Sequence, residues 1–381
     1  MNKLLAACLG FFLSASVCAQ ALMSPTIGAR AWLLLDTSSQ QVLTSHEADT
    51  RIEPASLTKI MTAYLTFSAI RDKKLDLNQT INVSANAWKV DSGSSKMFIE
   101  PDTAVRINDL LHGLIVQSGN DAAITLAEAV AGDQATFTAL MNQQAAQMGL
   151  KNTRFANPHG LPDSNNYSTA RDLSVLALRL ITDFPEFYKI YSVKNFTYNK
   201  ITQPNRNRLL WLDETVDGMK TGHTQAAGYC LIASATRPNG SGQRRLISVV
   251  IGAESDAMRA QESQKLLNWG FMNFQSFKIY SKDQPVLTPV VWKGSRNQVR
   301  LGFNRDVYVS LPRGSTARLK SVVERTDPLF APIAQHSPVG KLSILADGKI
   351  VSELPLLALD QINTATIFGR TYDSLRLLFP H

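Results

Sequence analysis

Cysteine is nearly absent from this 381-residue chain: there are three, and Cys8 and Cys18 both lie in the N-terminal apolar stretch. With that stretch removed, Cys230 stands alone, which excludes an internal disulfide and a cysteine-based zinc site. The six histidines show no His-Glu-x-x-His or similar ligand spacing, so no metal is called for. No Gly-rich phosphate loop follows a strand-like run, and there is no internal repeat or low-complexity tract. Beyond the N-terminus, no stretch reaches the roughly 20 apolar residues of a spanning helix. Charged residues are 18% against 44% hydrophobic, which excludes coiled-coil, collagen-like and disordered classes. The 31 acidic residues are outnumbered by 39 Lys and Arg, giving +8. That surplus suits an anionic partner such as a membrane surface, a cell-wall polymer or nucleic acid. No dense basic run with interleaved aromatics is present, which argues against nucleic acid.

What is there begins with an export signal. Lys3 precedes an apolar run over 4–17, and small residues at Val17-Cys18-Ala19 and Ala19-Gln20-Ala21 offer cleavage sites. Residues 1–19 read as a signal peptide; a lipoprotein signal at Cys18 is the rival reading, opposed by the bulk of Val17. At the other end, within 363–381, Ile367, Phe368, Tyr372, Leu375, Leu378 and Phe379 recur at helical spacing. Arg370, Asp373 and Arg376 fall largely elsewhere on the wheel, as in an interfacial helix lying on a membrane. A last helix docked on the protein's own core is the alternative.

Between the ends, strand-like runs at 30–36, 41–43, 229–235 and 246–252 flank helical patterns at 55–70, 107–116, 121–131, 134–148 and 170–183. Strands at both ends with helices in the middle predict an α+β unit over 25–274 built on a mixed sheet and helices. Arg259 falls in a loop before a helix at 261–270 and is a candidate support for the site. Residues 275–362 read as a small all-β domain with strands at 286–292, 298–303, 307–311 and 341–354, and a hairpin turn at Asp347-Gly348. It holds no cluster of catalytic residue types, so spacing or partner contact is its expected role.

Three short motifs carry chemistry. Ser56-Leu57-Thr58-Lys59 follows Pro54 at a helix start, with Leu57, Ile60, Met61, Tyr64, Leu65 and Ser68 forming an apolar stripe on the far side from Ser56 and Lys59. A serine hydroxyl is a weak nucleophile until a base takes its proton, and a lysine at i+3 is in reach. That lysine must be neutral, which costs about 4 kcal/mol and requires burial and a second cation. Lys220-Thr221-Gly222, on a predicted strand edge, supplies a candidate cation and a carboxylate site. Ser118-Gly119-Asn120 sits at a corner between two apolar helices. Taken singly, Ser56 and Ser118 read equally well as helix caps, Lys59 as a surface charge, and Lys220-Thr221-Gly222 as a turn. The order, the export signal and the two settings favour the catalytic reading.

With these residues in view, the sequence resembles the periplasmic D-alanyl-D-alanine carboxypeptidases, the low-molecular-mass penicillin-binding proteins of the type-5/type-6 group. The resemblance also covers Gln117-Ser118-Gly119-Asn120-Asp121, His159-Gly160-Leu161, Ser168-Thr169-Ala170-Arg171-Asp172, Asn205-Arg206-Asn207 and the run from Val216 to Thr224. It implies a penicilloyl-serine transferase (β-lactamase-like) fold, Ser56 as the acylated nucleophile and Lys59 as its base. Ser118 and Asn120 would relay protons and hold the substrate amide. Lys220, Thr221, Gly222 and His223 would form the substrate edge, with Arg206 helping to hold the leaving D-alanine's carboxylate and the N–H groups of Ser56 and His223 as oxyanion donors. The implied substrate is the peptidoglycan pentapeptide, the implied inhibitors are β-lactams, no cofactor is needed, and the location is the periplasmic face of the inner membrane. A class A β-lactamase would need a Glu-x-x-x-Asn loop, which Glu128, Glu186 and Glu214 do not provide. A DD-endopeptidase and a non-catalytic envelope scaffold remain as alternatives.

Overall fold

The run Ala31-Trp32-Leu33-Leu34-Leu35 is apolar without alternation because both faces of its strand are covered. The computed structural model describes residues 23–90, 93–240 and 242–378. The expected signal peptide, with Cys8 and Cys18, lies outside the described residues, as does Phe379.

Strands β1 (Ala31–Asp36) and β2 (Val42–His46) form an opening hairpin. The longer helices that follow are α1 (Lys59–Arg71), α2 (Ile107–Val116), α3 (Asn120–Ala131), α4 (Gln134–Gln147) and α5 (Ala170–Asp183). The chain then returns through β3 (Val216–Thr224), β4 (Gly228–Asn239) and β5 (Gly242–Ala253) to α6 (Asp256–Asn273). The sheet order is β2-β1-β5-β4-β3. Every pairing is antiparallel, so the sheet is not mixed in strand direction. The reason is connectivity: β3, β4 and β5 are joined by tight turns, and β5 closes on β1 antiparallel as well.

Alternate residues separate the two cores. Leu33, Leu35, Ile232, Val249 and Ile251 face the helical layer, where Ile60, Met61, Leu126 and Leu173 are buried. Trp32, Leu34, Leu231, Ala233 and Val250 face α6, against Leu266, Leu267 and Phe271. The expected one-sided stripe on α1 is not what forms. Residues 59–67 are buried all round, because α1 lies between the sheet and the other helices. Its polar groups are paired internally, with the Thr62 hydroxyl donating to Pro158 O at 2.6 Å.

Arg259 does not sit in a loop. Helix α6 starts five residues earlier than expected, capped by Ser255, whose side chain accepts from Met258 N–H. The first turn carries Asp256 and Arg259 rather than an apolar stripe, which is why periodicity missed it.

Strand β6 (Phe274–Tyr280) leaves α6 directly and enters a β-rich C-terminal part. There β7 (Pro285–Leu287), β8 (Leu301–Gly302), β9 (Val307–Pro312), β10 (Leu319–Arg325), β11 (Pro338–Ala346) and β12 (Lys349–Ala358) follow. A five-stranded sheet runs β7-β8-β12-β11-β10, and β6 pairs with β9 in a ribbon. The β11–β12 turn is the expected two-residue one: Asp347 and Gly348 have φ of 48° and 80°, the doubly positive pattern that Asp-Gly tolerates. Asp36, at the end of β1, ties the two parts together. Its buried carboxylate accepts from Arg244 Nε at 2.6 Å, Ser276 Oγ at 2.6 Å and Ser310 Oγ at 2.7 Å. Helix α7 (Ile367–Leu377) ends the described chain with no buried residue. Among the described residues no helix is long and apolar enough to cross a membrane.

Candidate active site

Pro54 leads into a single 3-10 turn, Ala55–Thr58, that precedes α1. Ala55 has φ of 47°, a left-handed conformation that non-glycine residues rarely hold. It is held from outside by Gly160, itself at φ 85°, where a Cβ would fall 1.9 Å from Ala55 O. Ser56 is therefore presented on a constrained turn, and its side chain caps nothing. The cap reading of this serine is thereby ruled out.

Lys59, only 1% exposed, has three partners for its Nζ. They are Ser56 Oγ at 3.1 Å, Asn120 Oδ1 at 2.6 Å and His159 O at 2.6 Å. As an ammonium it donates to all three. As a neutral amine it has two N–H groups and one lone pair, and two of the partners are oxygens that can only accept. The lone pair is then directed at the one partner with a proton to give, the Ser56 hydroxyl. Burial pulls the Lys59 ammonium down to about 7; Asp121 opposes this and Arg206 reinforces it. Arg206 thus acts on Lys59, and Lys220, the cation that the sequence suggested, is itself lowered by the Lys59 charge.

Ser118 lies at the corner between α2 and α3 with φ of 63°. Lys220, 2% exposed, donates from Nζ to Ser118 Oγ at 2.9 Å and to Thr221 O at 3.0 Å. Burial, and then the charges of Lys59, Arg206 and Arg259, push Lys220 well below the usual lysine range. Lys220 does not reach the cleft wall; it stands behind Ser118. With Lys220 donating to Oγ, the Ser118 proton is free to point into the cleft. Helix α3 starts at Asn120 with Gly119 in the N-cap position, so Ser118 is not a cap either.

The cleft, about 430 Å³, is lined by Ser56, Ser118, Asn120, Thr221, Gly222 and His223. Arg206, Arg259, Tyr229, Leu161 and the 93–95 segment complete it. Because β3 is the outer strand of its sheet, the edge at Thr221-Gly222-His223 faces the opening. His223 stacks on Tyr229 with ring centroids 4.1 Å apart. Arg259 donates to Gly222 O at 3.1 Å and pairs with Asp256. The Arg206 guanidinium lines the cleft, where burial lowers it and the Asp256 carboxylate opposes that effect. His159 borders the site through its backbone: burial, and then the Lys59 charge, lower its imidazole to about 3, and Nδ1 accepts from Leu161 N–H.

Asp121 is the residue that the motifs did not single out. Its buried carboxylate accepts from the backbone N–H groups of Met97 at 3.0 Å and Phe98 at 3.0 Å, and Asn120 N–H donates to Ser95 O at 2.8 Å. The 93–99 wall of the cleft is thereby hung on the start of α3. A carboxylate directly after Ser118-Gly119-Asn120 was the available signal. Among the described residues, no group of three or more His, Cys, Asp or Glu side chains is placed to hold a metal ion.

A family model described as D-alanyl-D-alanine carboxypeptidase matches residues 18–255, and one described as penicillin-binding protein 5, C-terminal domain, matches residues 274–364. D-alanyl-D-alanine carboxypeptidase DacC of Escherichia coli (strain K12) is 44% identical over 366 residues, 94% of this chain and 90% of that protein. The crystal structure of penicillin-binding protein 5 from Haemophilus influenzae aligns with a TM-score of 0.81 at 42% identity, covering 90% of this chain and all of that one. Penicillin-binding protein D2 from Listeria monocytogenes, solved with cefotaxime bound, aligns with a TM-score of 0.60 at 30% identity, over 66% of this chain and 100% of that one. The Ser56 turn, its buried lysine and a strand-edge cleft thus sit in a chain that matches the first two of these proteins over 90% or more of its length, and the chain belongs to the D-alanyl-D-alanine carboxypeptidase family of penicillin-binding serine peptidases.

Proposed function

We propose that this protein removes the terminal D-alanine from peptidoglycan pentapeptide stems through an acyl-enzyme on Ser56. The observation that carries the reading is the partner set of Lys59, which leaves a neutral amine's lone pair only Ser56 to face. Lys59 takes the hydroxyl proton as Ser56 Oγ attacks the carbonyl of the penultimate D-alanine. The N–H groups of Ser56 and His223 receive the developing oxyanion. Thr221 and Arg206 hold the terminal carboxylate, and Lys220 donates to the Ser118 hydroxyl from behind it. As the C–N bond breaks, Ser118 passes a proton from the lysine pair to the departing amine nitrogen, while Asn120 holds Lys59 and the substrate amide. Water then attacks the acyl ester, Lys59 again serving as base, and Ser56 is regenerated.

A β-lactam enters the same chemistry, but its amine stays tethered after ring opening and the acyl-enzyme persists. Among the described residues no glutamate lines the cleft to position a deacylating water as in class A β-lactamases. Slow release is therefore expected.

The site of action is the periplasm, at the outer face of the inner membrane, with α7 lying in the lipid interface. Support comes from the helix's orientation. Asp373 accepts from Lys293 N–H and Arg376 packs over Trp292, so its polar residues touch the β-rich part. Phe368 is 88% exposed, and Ile367, Tyr372, Leu375 and Leu378 are also exposed.

Intact-protein mass after brief exposure to benzylpenicillin tests the nucleophile. One adduct on the mature protein and none on Ser56→Ala supports the reading, to be followed by D-alanine release from a pentapeptide. No adduct on either, with the penicillin intact, overturns it.

A further inference from the structure

The Ser56 turn and the end of β3 must face each other at a fixed spacing, since one carries the nucleophile and the other the substrate edge. They lie far apart in sequence, and among the described residues no backbone hydrogen bond joins 53–58 to β3. What joins them directly is one side-chain pair. The Thr224 hydroxyl, on the last residue of β3, donates to Glu53 Oε2, 171 residues away in the chain.

Both ends of this link are anchored. Thr224 Oγ also accepts from Ala227 N–H at 2.9 Å in the β3–β4 turn, and Arg30 Nη2 donates to Ala226 O at 2.6 Å in the same turn. On the other side, Ile52 exchanges both backbone hydrogen bonds with Ser168 at 2.9 Å, and Pro54 follows Glu53 with its φ restricted by the ring. Just inside the link, β3 abuts the turn. A Cβ on Gly222 would lie 3.3 Å from Pro54 O, Ala55 Cβ and Leu57 Cγ. Contact at Gly222 limits how near the strand can come, and the Glu53–Thr224 hydrogen bond limits how far it can move away.

We propose that Glu53 and Thr224 form a clamp across the mouth of the cleft, positioning residues that set the spacing between the Ser56 turn and the substrate edge of β3 for acylation. The proposal rests on the acyl-serine reading above. Neither residue touches the reacting atoms. Their effect is geometric, and a displacement near 1 Å at such a site costs about a hundredfold in rate.

The test uses full-length mature protein and compares Glu53→Ala, Glu53→Gln, Thr224→Val, Thr224→Ser and the double variant Glu53→Ala/Thr224→Val. The second-order acylation rate with benzylpenicillin, kcat and KM on a D-Ala-D-Ala peptide, and Tm are measured for each. Glu53→Ala and Thr224→Val should each slow acylation about ten- to a hundredfold, with the loss in kcat rather than KM. Thr224→Ser keeps the donor and Glu53→Gln keeps an acceptor, so both should recover most of the rate at parental Tm. The double variant should be no slower than the worse single one, because both remove the same hydrogen bond. Parental rates in the single variants, multiplying effects in the double, or a Thr224→Ser as slow as Thr224→Val would overturn the clamp alone. No adduct on the unsubstituted protein would overturn the acyl-serine reading and the clamp with it.

Discussion

Lys220 donates to the Ser118 hydroxyl at 2.9 Å, joining a strand edge to a helix corner 102 residues away. Two buried lysines thus stand on either side of the cleft serines, Lys59 against Ser56 and Lys220 against Ser118. In the proposed mechanism one serine loses a proton and the other gives one. The arrangement depends on both lysines being poor cations in place, which burial produces, with Arg206 lowering both and Lys59 lowering Lys220 as well.

Acylation should depend on pH through Lys59. The amine must be neutral to act, so the rate with benzylpenicillin should rise with pH and level off above about 7. Below that it should fall about tenfold per pH unit. Lys59→Arg, which stays protonated, should be lower by several orders of magnitude at every pH, as stopped-flow or mass-resolved time courses would report. The same shift affects stability. With Lys59 near 7 when folded and 10.5 when unfolded, the unfolded state binds more protons in between, so this group's contribution increases as pH rises across that window. A rate that is flat between pH 5 and 8 would contradict the assignment.

Asp121→Asn should have two separable effects. Asp121 holds Lys59 up against the effect of burial, so its removal should move the acidic limb of the acylation profile to lower pH. It also weakens the N–H bonds from Met97, Phe98 and Ile99 that order the cleft wall. Those charge-assisted bonds are worth about 1.5–3 kcal/mol each when buried, so a drop in Tm is expected as well. The profile and a melting curve together check both.

Gly160→Ala should be among the most damaging single-methyl changes. The new Cβ would meet Ala55 O at 1.9 Å, and alanine resists φ of 85°. Strain and overpacking of this kind cost about 1–3 kcal/mol each. Denaturant unfolding should show the loss, and because the collision is with the turn that presents Ser56, penicillin acylation should slow more than the Tm shift alone would suggest.

Deleting residues 363–381 should release the mature protein from membranes and leave penicillin acylation intact. The exposed apolar residues of α7 go with that segment, whereas the cleft is built from residues 56–259. Flotation with anionic lipid vesicles measures the first, and intact mass the second. Undiminished flotation would contradict the interfacial helix.

Much of the local structure was legible. Helices at 107–116 and 170–183 were read to the residue, because their apolar positions keep the 3.6 period and Thr169 caps the second. The Asp347-Gly348 turn was legible because its backbone demands those residues. Strand β10 was not: it is an edge strand with most residues exposed or half-exposed, so its composition gives no alternation. The start of α6 was missed because Asp256 and Arg259 face the cleft instead of forming an apolar stripe.

The sequence by itself determined the motifs, their order, the α+β plan and the charge types available for catalysis, because these follow from local pattern and residue chemistry. Only the tertiary structure decided that Arg206 acts on Lys59, that Lys220 stands behind Ser118, that Asp121 supports the cleft wall and that Glu53 meets Thr224. Those relationships join residues dozens to over a hundred positions apart. Their strength depends on separation and burial, which no local pattern encodes.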